Sequence, residues 1–264
     1  MERFRFQGQP FTREVKVEHR LRVGAIEAEV ISLKEAIDAR QSAALVAPAG
    51  AGKTVALRTL KSLLPEARYR TTYIKLTNLS TRDMYREMAM ALTVAPAGFF
   101  PRLVRNIEEK FRSGYDGDGR RQVLLFDDAH EKRPEVLSMI RLLTNFEMDP
   151  KLVVSIVLCG QLPLKMMIMS DALTDVRQRL MHCAELSLLS RDETRTYIEH
   201  RSKISGAPQV PFDAQAIDAL YEITHGNMRA LDKLAFASLK IADASGKPQA
   251  DAGDVALARA SQWM

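Results

Sequence analysis

The sequence predicts an α/β fold in which a parallel five-stranded sheet is followed by a small C-terminal helical domain. Three observations carry that expectation. Short apolar runs alternate with amphipathic segments as far as residue 188, the pattern of a parallel sheet covered by helices on both faces. Beyond that point the strand-like runs stop and only helical periodicity continues. One strand–helix junction carries a small-residue loop that ends Gly-Lys-Thr.

The elements follow in order. Residues 1–22 are rich in Arg, Phe and Gln, carry Pro10, and read as an irregular arm. Ile26, Val30, Leu33 and Ile37 share one face of a first helix. Ala43 to Val46 is a buried strand, and the helix from Val55 to Leu64 is stopped by Pro65. Thr71 to Leu76 is β-branched and aromatic, a second strand. Ser80 and Asp83 offer a cap to a helix running to about Leu92. Pro96, Gly98 and Pro101 interrupt the pattern before a helix with Leu103, Ile107 and Phe111. Ser113 to Gly119 holds three glycines and is expected to be a loop. Val123 to Phe126 is a third strand, and Pro134 opens a helix bearing Val136, Met139, Ile140 and Leu143. Leu152 to Leu158 is a fourth strand and Cys183 to Leu188 a fifth. Ser190 with Glu193 forms a capping box for the first of four helices. The others are marked by Ile217, Leu220, Tyr221 and Thr224, by Leu231, Leu234, Ala235, Ser238 and Leu239, and by Asp251 onward. The expected division is an arm (1–22), an α/β core (23–188) and a small helical domain (189–264).

Composition bounds the classes. Of 264 residues 46% are hydrophobic and 27% charged, enough apolar surface for a sizeable core and unlike a disordered chain. Lys and Arg number 38 against 33 acids, a net charge of +5 that permits a polyanionic partner without requiring one. No stretch approaches the roughly 18 apolar residues of a membrane span. The start lacks an apolar signal core, so a cytoplasmic protein without a membrane partner is expected. Cys159 and Cys183 have no CxxC partner and are expected to be buried thiols, and the five His and two Cys never cluster at zinc-ligand spacing. Met166-Met167-Ile168-Met169 is read as core packing, with a partner surface as the alternative.

The strongest motif is Ala47-Pro48-Ala49-Gly50-Ala51-Gly52-Lys53-Thr54. Gly50 and Gly52 let backbone N–H groups curl around phosphate oxygens with no Cβ in the way. Lys53 would reach the β- and γ-phosphates of ATP, Thr54 would hold Mg²⁺, and the following helix would present its N-terminus to the anion. The alternative is a small-residue strand–helix turn without a ligand. The second motif is Asp127-Asp128, two acids ending the apolar run Val123 to Phe126, about 70 residues after the loop. Asp127 would orient Mg²⁺ through its water shell and Asp128 would polarise the attacking water. Taken alone, such a pair is often a turn or a helix cap.

With these motifs the chain resembles the AAA+ P-loop ATPases, and within them the ExeA-like transposition regulators that include TnsC, TniB and MuB. The likeness spans nearly the whole chain. It rests on Pro10-Phe11, the phosphate loop, Asp127-Asp128-Ala129-His130, Leu143-Thr144-Asn145-Phe146-Glu147, Gly160-Gln161, Arg177-Gln178-Arg179-Leu180 and Gly226-Asn227-Met228-Arg229. The resemblance implies an α/β AAA+ core with a helical lid. It implies a γ-phosphate sensor at Gln161, an arginine finger reaching a neighbouring subunit at Arg177 or Arg179, and a lid sensor at Arg229. It also implies a polar switch at Thr77 and Asn78 that holds back the catalytic acid. The family pair is usually Asp-Glu, so the shorter Asp128 implies slow hydrolysis with intact ATP binding.

DNA-binding residues carried over from filament-forming members are Lys75, Arg82, Arg102 and Arg105, within the stretches Lys75 to Arg86 and Arg102 to Arg112. The other reading of each is a solvated helix face, since Glu87, Glu108 and Glu109 sit among them. The implied function is ATP-dependent regulation of DNA transposition, with ATP and Mg²⁺ bound between subunits. The implied partners are double-stranded DNA, a transposase, a target-selector protein and further copies of the chain in a ring or filament. The alternatives are an ExeA-type secretion-assembly ATPase and a helicase loader of the DnaC or IstB kind. The secretion branch expects a membrane helix and a cell-wall-binding region after the ATPase, which the residues up to Met264 do not contain.

Overall fold

The computed structural model describes residues 2–12, 15–75, 80–95, 97–131, 134–138, 143 and 154–261. They form two compact units. The sheet unit comprises Ala25–Pro48 and Lys53–Leu186, and the helical unit Met1–Gly24, Ala49–Gly52 and Ser187–Met264.

The sheet unit is organised around β1 (Ser42–Val46), whose five residues are all buried. The other strands are β2 (Tyr69–Lys75), β3 (Arg121–Asp127), β4 (Val154–Gly160) and β5 (Leu180–Glu185). Their spatial order is β2–β3–β4–β1–β5, with every neighbouring pair parallel. β1 and β4 lie inside the sheet with both faces covered, which is why they read as nearly continuous apolar runs, broken only by Ser42 and Ser155, rather than as alternation. β2 and β5 are its edges and are only partly buried. Cys183 lies on edge strand β5 and is exposed, so the expectation of two buried thiols holds for Cys159 alone. β4 runs on to Gly160, and β5 begins at Leu180 because it pairs with β1 from Ser42 onward.

The helices of this unit bury the stripes read from the sequence. α1 (Gly24–Asp38) buries Ile26, Val30, Leu33 and Ile37, and α2 (Lys53–Leu63) follows the small-residue loop. α3 (Thr81–Ala91) is capped by the Ser80 side chain, which accepts from the Asp83 N–H. α4 (Phe100–Asp118) does not stop at Ser113: the segment expected to be a loop is its last turns. Leu103, Ile107 and Phe111 are buried, and Tyr115, one turn further along, packs against the same cluster. That burial outweighs the roughly 1 kcal/mol that each interior glycine costs a helix. Gly119 ends α4 at φ +68°. In α5 (Leu162–Met169), Leu164 and Ile168 are buried while Met166 and Met169 are exposed, so the methionine segment divides between core and surface. Met139 and Ile140 lie outside the described residues, whereas Val136 and Leu143 are buried as expected.

The helical unit contains α6 (Arg191–Ile204), α7 (Ala214–Thr224), α8 (Met228–Ala244) and α9 (Ala252–Ser261). The capping box at Ser190 and Glu193 is formed. The arm is more ordered than its composition suggests. Phe4 and Phe11 are buried, Phe11 meets Phe212 edge-on at 5.9 Å between centroids, and the Gln7 N–H donates to the Ser205 carbonyl at 2.9 Å. Arg201, itself buried, donates to the Thr12 carbonyl, lies 3.7 Å from Asp232, and stacks near Phe11 and Tyr197.

Two glycines separate conformational strain from steric strain. Gly119 sits at positive φ with open space where a Cβ would stand. Gly226, at φ +75°, would place a Cβ 1.9 Å from the Leu189 carbonyl oxygen. Gly119→Ala is expected to destabilise by about 1–2 kcal/mol, the left-handed penalty alone. Gly226→Ala is expected to lose at least about twice as much, because backbone must also move. Urea midpoints followed by circular dichroism compare the two; equal shifts would count against the packing account.

Candidate nucleotide site

β1 delivers the chain to the C-terminal edge of the parallel sheet, where ligands of such sheets bind. The Ala47 N–H still pairs with the Gly160 carbonyl of β4 at 3.1 Å, and the loop then leaves the sheet. Gly50 and Gly52 adopt φ of +81° and +89°, conformations that side chains resist. Among the described residues, no backbone carbonyl accepts from the N–H of Gly50 or Gly52. Thr54, exposed in the first turn of α2, adds a helix-terminal N–H with no intrahelical partner. The Lys53 ammonium donates to the Ala47 and Pro48 carbonyls at 3.2 and 3.1 Å. Unpaired donors in a left-handed turn, with a cation at the same loop, suit the phosphates of a nucleotide.

The loop tip belongs to the helical unit, where the start of α8 holds it. Asn227 caps α8 by accepting from the Ala230 N–H at 3.1 Å, and its amide donates to the Ala49 carbonyl at 2.7 Å. The Met228 N–H donates to the Gly50 carbonyl at 3.1 Å. A Cβ at Gly50 would lie 2.0 Å from Asn227 Oδ1, and one at Gly52 2.7 Å from Met228 Cε. Both glycines are therefore required twice, for their φ and for these contacts. Arg229, the expected lid sensor, is exposed in the first turn of α8.

At the end of β3, Asp127 is buried with 6% exposure. Its Oδ1 accepts from the Asp128 N–H at 2.9 Å and its Oδ2 from the Tyr73 hydroxyl at 2.9 Å. The Cys159 thiol is a further neighbour; burial first, and then the Asp127 carboxylate, push its pKa up, so it stays a neutral thiol. Burial and the same carboxylate raise the Tyr73 phenol, which therefore remains a donor. Asp128 adopts φ +57°, which Asp tolerates better than Glu because its short polar side chain suits the left-handed region. The backbone thus gives a physical reason for the Asp-Asp pair. The Asp128 carboxylate lies 3.7 Å from the Lys75 ammonium at the end of β2. Among the described residues no group of three or more His, Cys, Asp or Glu converges on a cation position. A cation here would rest on Thr54, Asp127, nucleotide oxygens and water, the mixed shell that Mg²⁺ favours.

The remaining expected residues are placed as follows. Gln161 is half-buried at the N-cap of α5, and its side chain makes no capping hydrogen bond. It follows Gly160, where a Cβ would come within 2.8 Å of Leu164 Cδ2 and 3.1 Å of the His130 N. Arg177 donates to the Met169 carbonyl at 3.0 Å and Arg179 to the Asp175 carbonyl at 2.6 Å, each a contact within its own segment. Thr77 and Asn78, and Thr144 to Glu147, lie outside the described residues. Arg102 and Arg105 are exposed on one face of α4, with Glu109 among them, while Arg82 is turned onto the Gly98 carbonyl. Lys75 is engaged with Asp128 instead of standing as an isolated surface cation. Sequence reasoning missed Tyr73, Cys159 and Asn227 as site residues. Tyr73 was legible only as one position of a second strand, because its hydrogen bond depends on the β2–β3 register.

The comparisons agree with this geometry. General secretion pathway protein A of Aeromonas hydrophila is 29% identical over 217 residues, which is 81% of this chain; the chain spans 39% of that relative's length. Among solved structures, the Cdc6 protein of Pyrobaculum aerophilum matches 91% of this chain and 67% of its own, at a TM-score of 0.72 and 17% identity. The Aeropyrum pernix ORC1 protein, solved in complex with DNA, matches 97% of this chain and 69% of its own, at 0.70 and 14%. The Holliday junction branch migration motor RuvB of Thermotoga maritima matches 89% and 67%, at 0.60 and 16%. At these identities the structural likeness establishes the fold alone. The family described as AAA domain matches residues 37–168, half of the chain. With that match, its P-loop and its paired carboxylates, the chain belongs to the AAA domain family and is an AAA+ ATPase.

Proposed function

We propose that this ATPase is an ATP-gated, DNA-binding regulator of transposition that assembles as ATP-bound oligomers on double-stranded DNA and there recruits or activates a transposase, guided by a target-selector protein. The nucleotide half is carried by two observations: a left-handed glycine loop after β1, and, within the sheet unit, Lys53 and Thr54 after β1 with a buried, oriented Asp127 at the end of β3. In this reading the loop amides and Lys53 bind the phosphates, and Thr54 and Asp127 hold Mg²⁺. When bound, Mg²⁺ neutralises charge between the phosphates. Asp128 takes the proton of the attacking water, and Gln161 orients that water. Arg229 senses the nucleotide from the lid, while Arg177 or Arg179 reaches the nucleotide of a neighbouring copy. Asp128 lies against Lys75, which favours slow turnover by drawing its carboxylate aside.

The DNA half is supported by the exposed Arg102 and Arg105 on one face of α4, and by the DNA-bound ORC1 structure among the fold relatives. Lys75 and Arg82 join them only by leaving their present partners. A secretion-assembly role is the second reading, favoured by the likeness to General secretion pathway protein A. Electron microscopy with duplex DNA under ATP, a slowly hydrolysed analogue and ADP separates the two. Nucleotide-dependent assemblies on DNA support transposition control. Their absence at low salt, with ATP bound, overturns it.

Two sets of variants follow. Lys53→Ala is expected to weaken ATP binding about 10- to 100-fold, the value of a charge-assisted hydrogen bond. Asp128→Asn is expected to leave binding intact while single-turnover hydrolysis falls about 10²- to 10⁴-fold. Asp128→Glu is expected to hydrolyse faster than the natural chain, and a slower rate would show that the left-handed backbone, not carboxylate reach, governs this position. Arg102→Ala and Arg105→Ala are each expected to lower the slope of log affinity against log salt by about 1, without changing sequence preference. Fluorescence anisotropy with labelled duplex measures that slope.

A further inference from the structure

The side chain of Tyr73 is arranged the opposite way from an ordinary surface tyrosine. Such a side chain usually buries its ring and leaves its polar tip in water. Here the residue is 45% exposed at the sheet edge, yet its hydroxyl points inward onto a carboxylate that is only 6% exposed. Packing of the half-covered ring does not by itself aim the hydroxyl inward. The hydroxyl–carboxylate bond does account for it. The two side chains stand on strands paired without a break from Tyr69↔Arg121 to Lys75↔Asp127, so the distance between them is set by backbone. Tyr73 lies opposite Leu125, two residues before Asp127, and a side chain as long as tyrosine spans that diagonal.

The carboxylate is held at both oxygens. Oδ1 is tied to the Asp128 N–H, a bond that the chain makes to itself. The Cys159 thiol beside the carboxylate is only a weak donor and does not by itself stop the group from swinging about that contact. Tyr73 supplies the strong second donor, at Oδ2. The two oxygens of a carboxylate offer about four acceptor positions, so both can be held while lone pairs remain for water or a cation.

We infer that Tyr73 is a positioning residue: its hydroxyl fixes the orientation of Asp127 and thereby sets how strongly the site binds ATP together with Mg²⁺. The inference rests on the nucleotide-site reading above and adds a residue to it. Tyr73 touches neither nucleotide nor metal in this account; it acts through Asp127. A partner of this outer kind contributes about 10- to 100-fold to metal affinity in known sites.

The test is Tyr73→Phe in the full chain, which keeps the ring and removes one oxygen. Binding of a fluorescent ATP analogue is titrated in EDTA and at increasing Mg²⁺. The expected result is unchanged affinity in EDTA, a Mg²⁺ half-saturation raised about tenfold, and an unchanged melting temperature without nucleotide. Tyr73→Leu, which removes both ring and hydroxyl, is expected to match Tyr73→Phe in its Mg²⁺ curve. Mg²⁺ curves that superimpose on the natural chain overturn the inference and leave the nucleotide site standing. So does an affinity loss of equal size with and without Mg²⁺, because that is what a merely structural hydroxyl would produce. A natural chain whose ATP binding gains nothing from Mg²⁺ overturns the Mg²⁺ reading of the site and this inference with it.

Discussion

A strand buried on both faces favours apolar side chains along its length, and most of its polar chemistry is displaced to its ends. β1 is that strand here. All five of its residues are buried, and it lies between β4 and β5. Its C-terminal end meets β4 through the Ala47–Gly160 hydrogen bond and then opens into the glycine loop. The loop's chemistry depends on that placement. Peptide groups that leave the sheet lose their ladder partners, and in the Gly50 and Gly52 conformations their N–H groups suit an anion. The same displacement acts on β3, whose apolar run ends in Asp127 and Asp128.

A buried carboxylate must be given donors, since desolvation without compensation is expensive. Asp127 receives one from the next peptide unit, one from Tyr73 across the strand pair, and a weaker one from the Cys159 thiol. Asp128, one residue on, has a different environment: it is less buried, adopts a left-handed conformation, and faces Lys75. Two adjacent acids thus differ in orientation, burial and partner, which suits them to separate tasks. Asn227 shows similar economy in the helical unit. One carboxamide caps α8 and reaches the Ala49 carbonyl, and the Met228 N–H adds a backbone bond to Gly50, so the first turn of that helix holds the loop tip.

Legibility varied with how local the cause was. The buried faces of α1, α7 and α8 were readable because helical periodicity is a property of neighbouring residues. The Ser190–Glu193 capping box was readable for the same reason. The stretch from Ser113 to Asp118 was misread because glycine preference is local while the burial that extends α4 past Phe111 is tertiary. Cys183 was misread because whether a strand is central or at an edge depends on the order of all five strands. The arm was read as irregular and has only two three-residue 3-10 turns among its described residues; what its composition did not reveal is that Phe4 and Phe11 are buried and that Arg201 ties down the Thr12 carbonyl.

The sequence by itself determined the alternation of strands and helices, the phosphate loop with its lysine, and the acid pair at a strand end, since each is written in contiguous residues. Tertiary structure alone decided which side chains serve those motifs. Tyr73 meets Asp127 from 54 residues away, Lys75 meets Asp128, and Asn227 meets Ala49 from 178 residues away. The reason is physical: a hydrogen bond needs its atoms within about 3 Å, and for residues far apart in the chain only strand register and helix packing bring them that close.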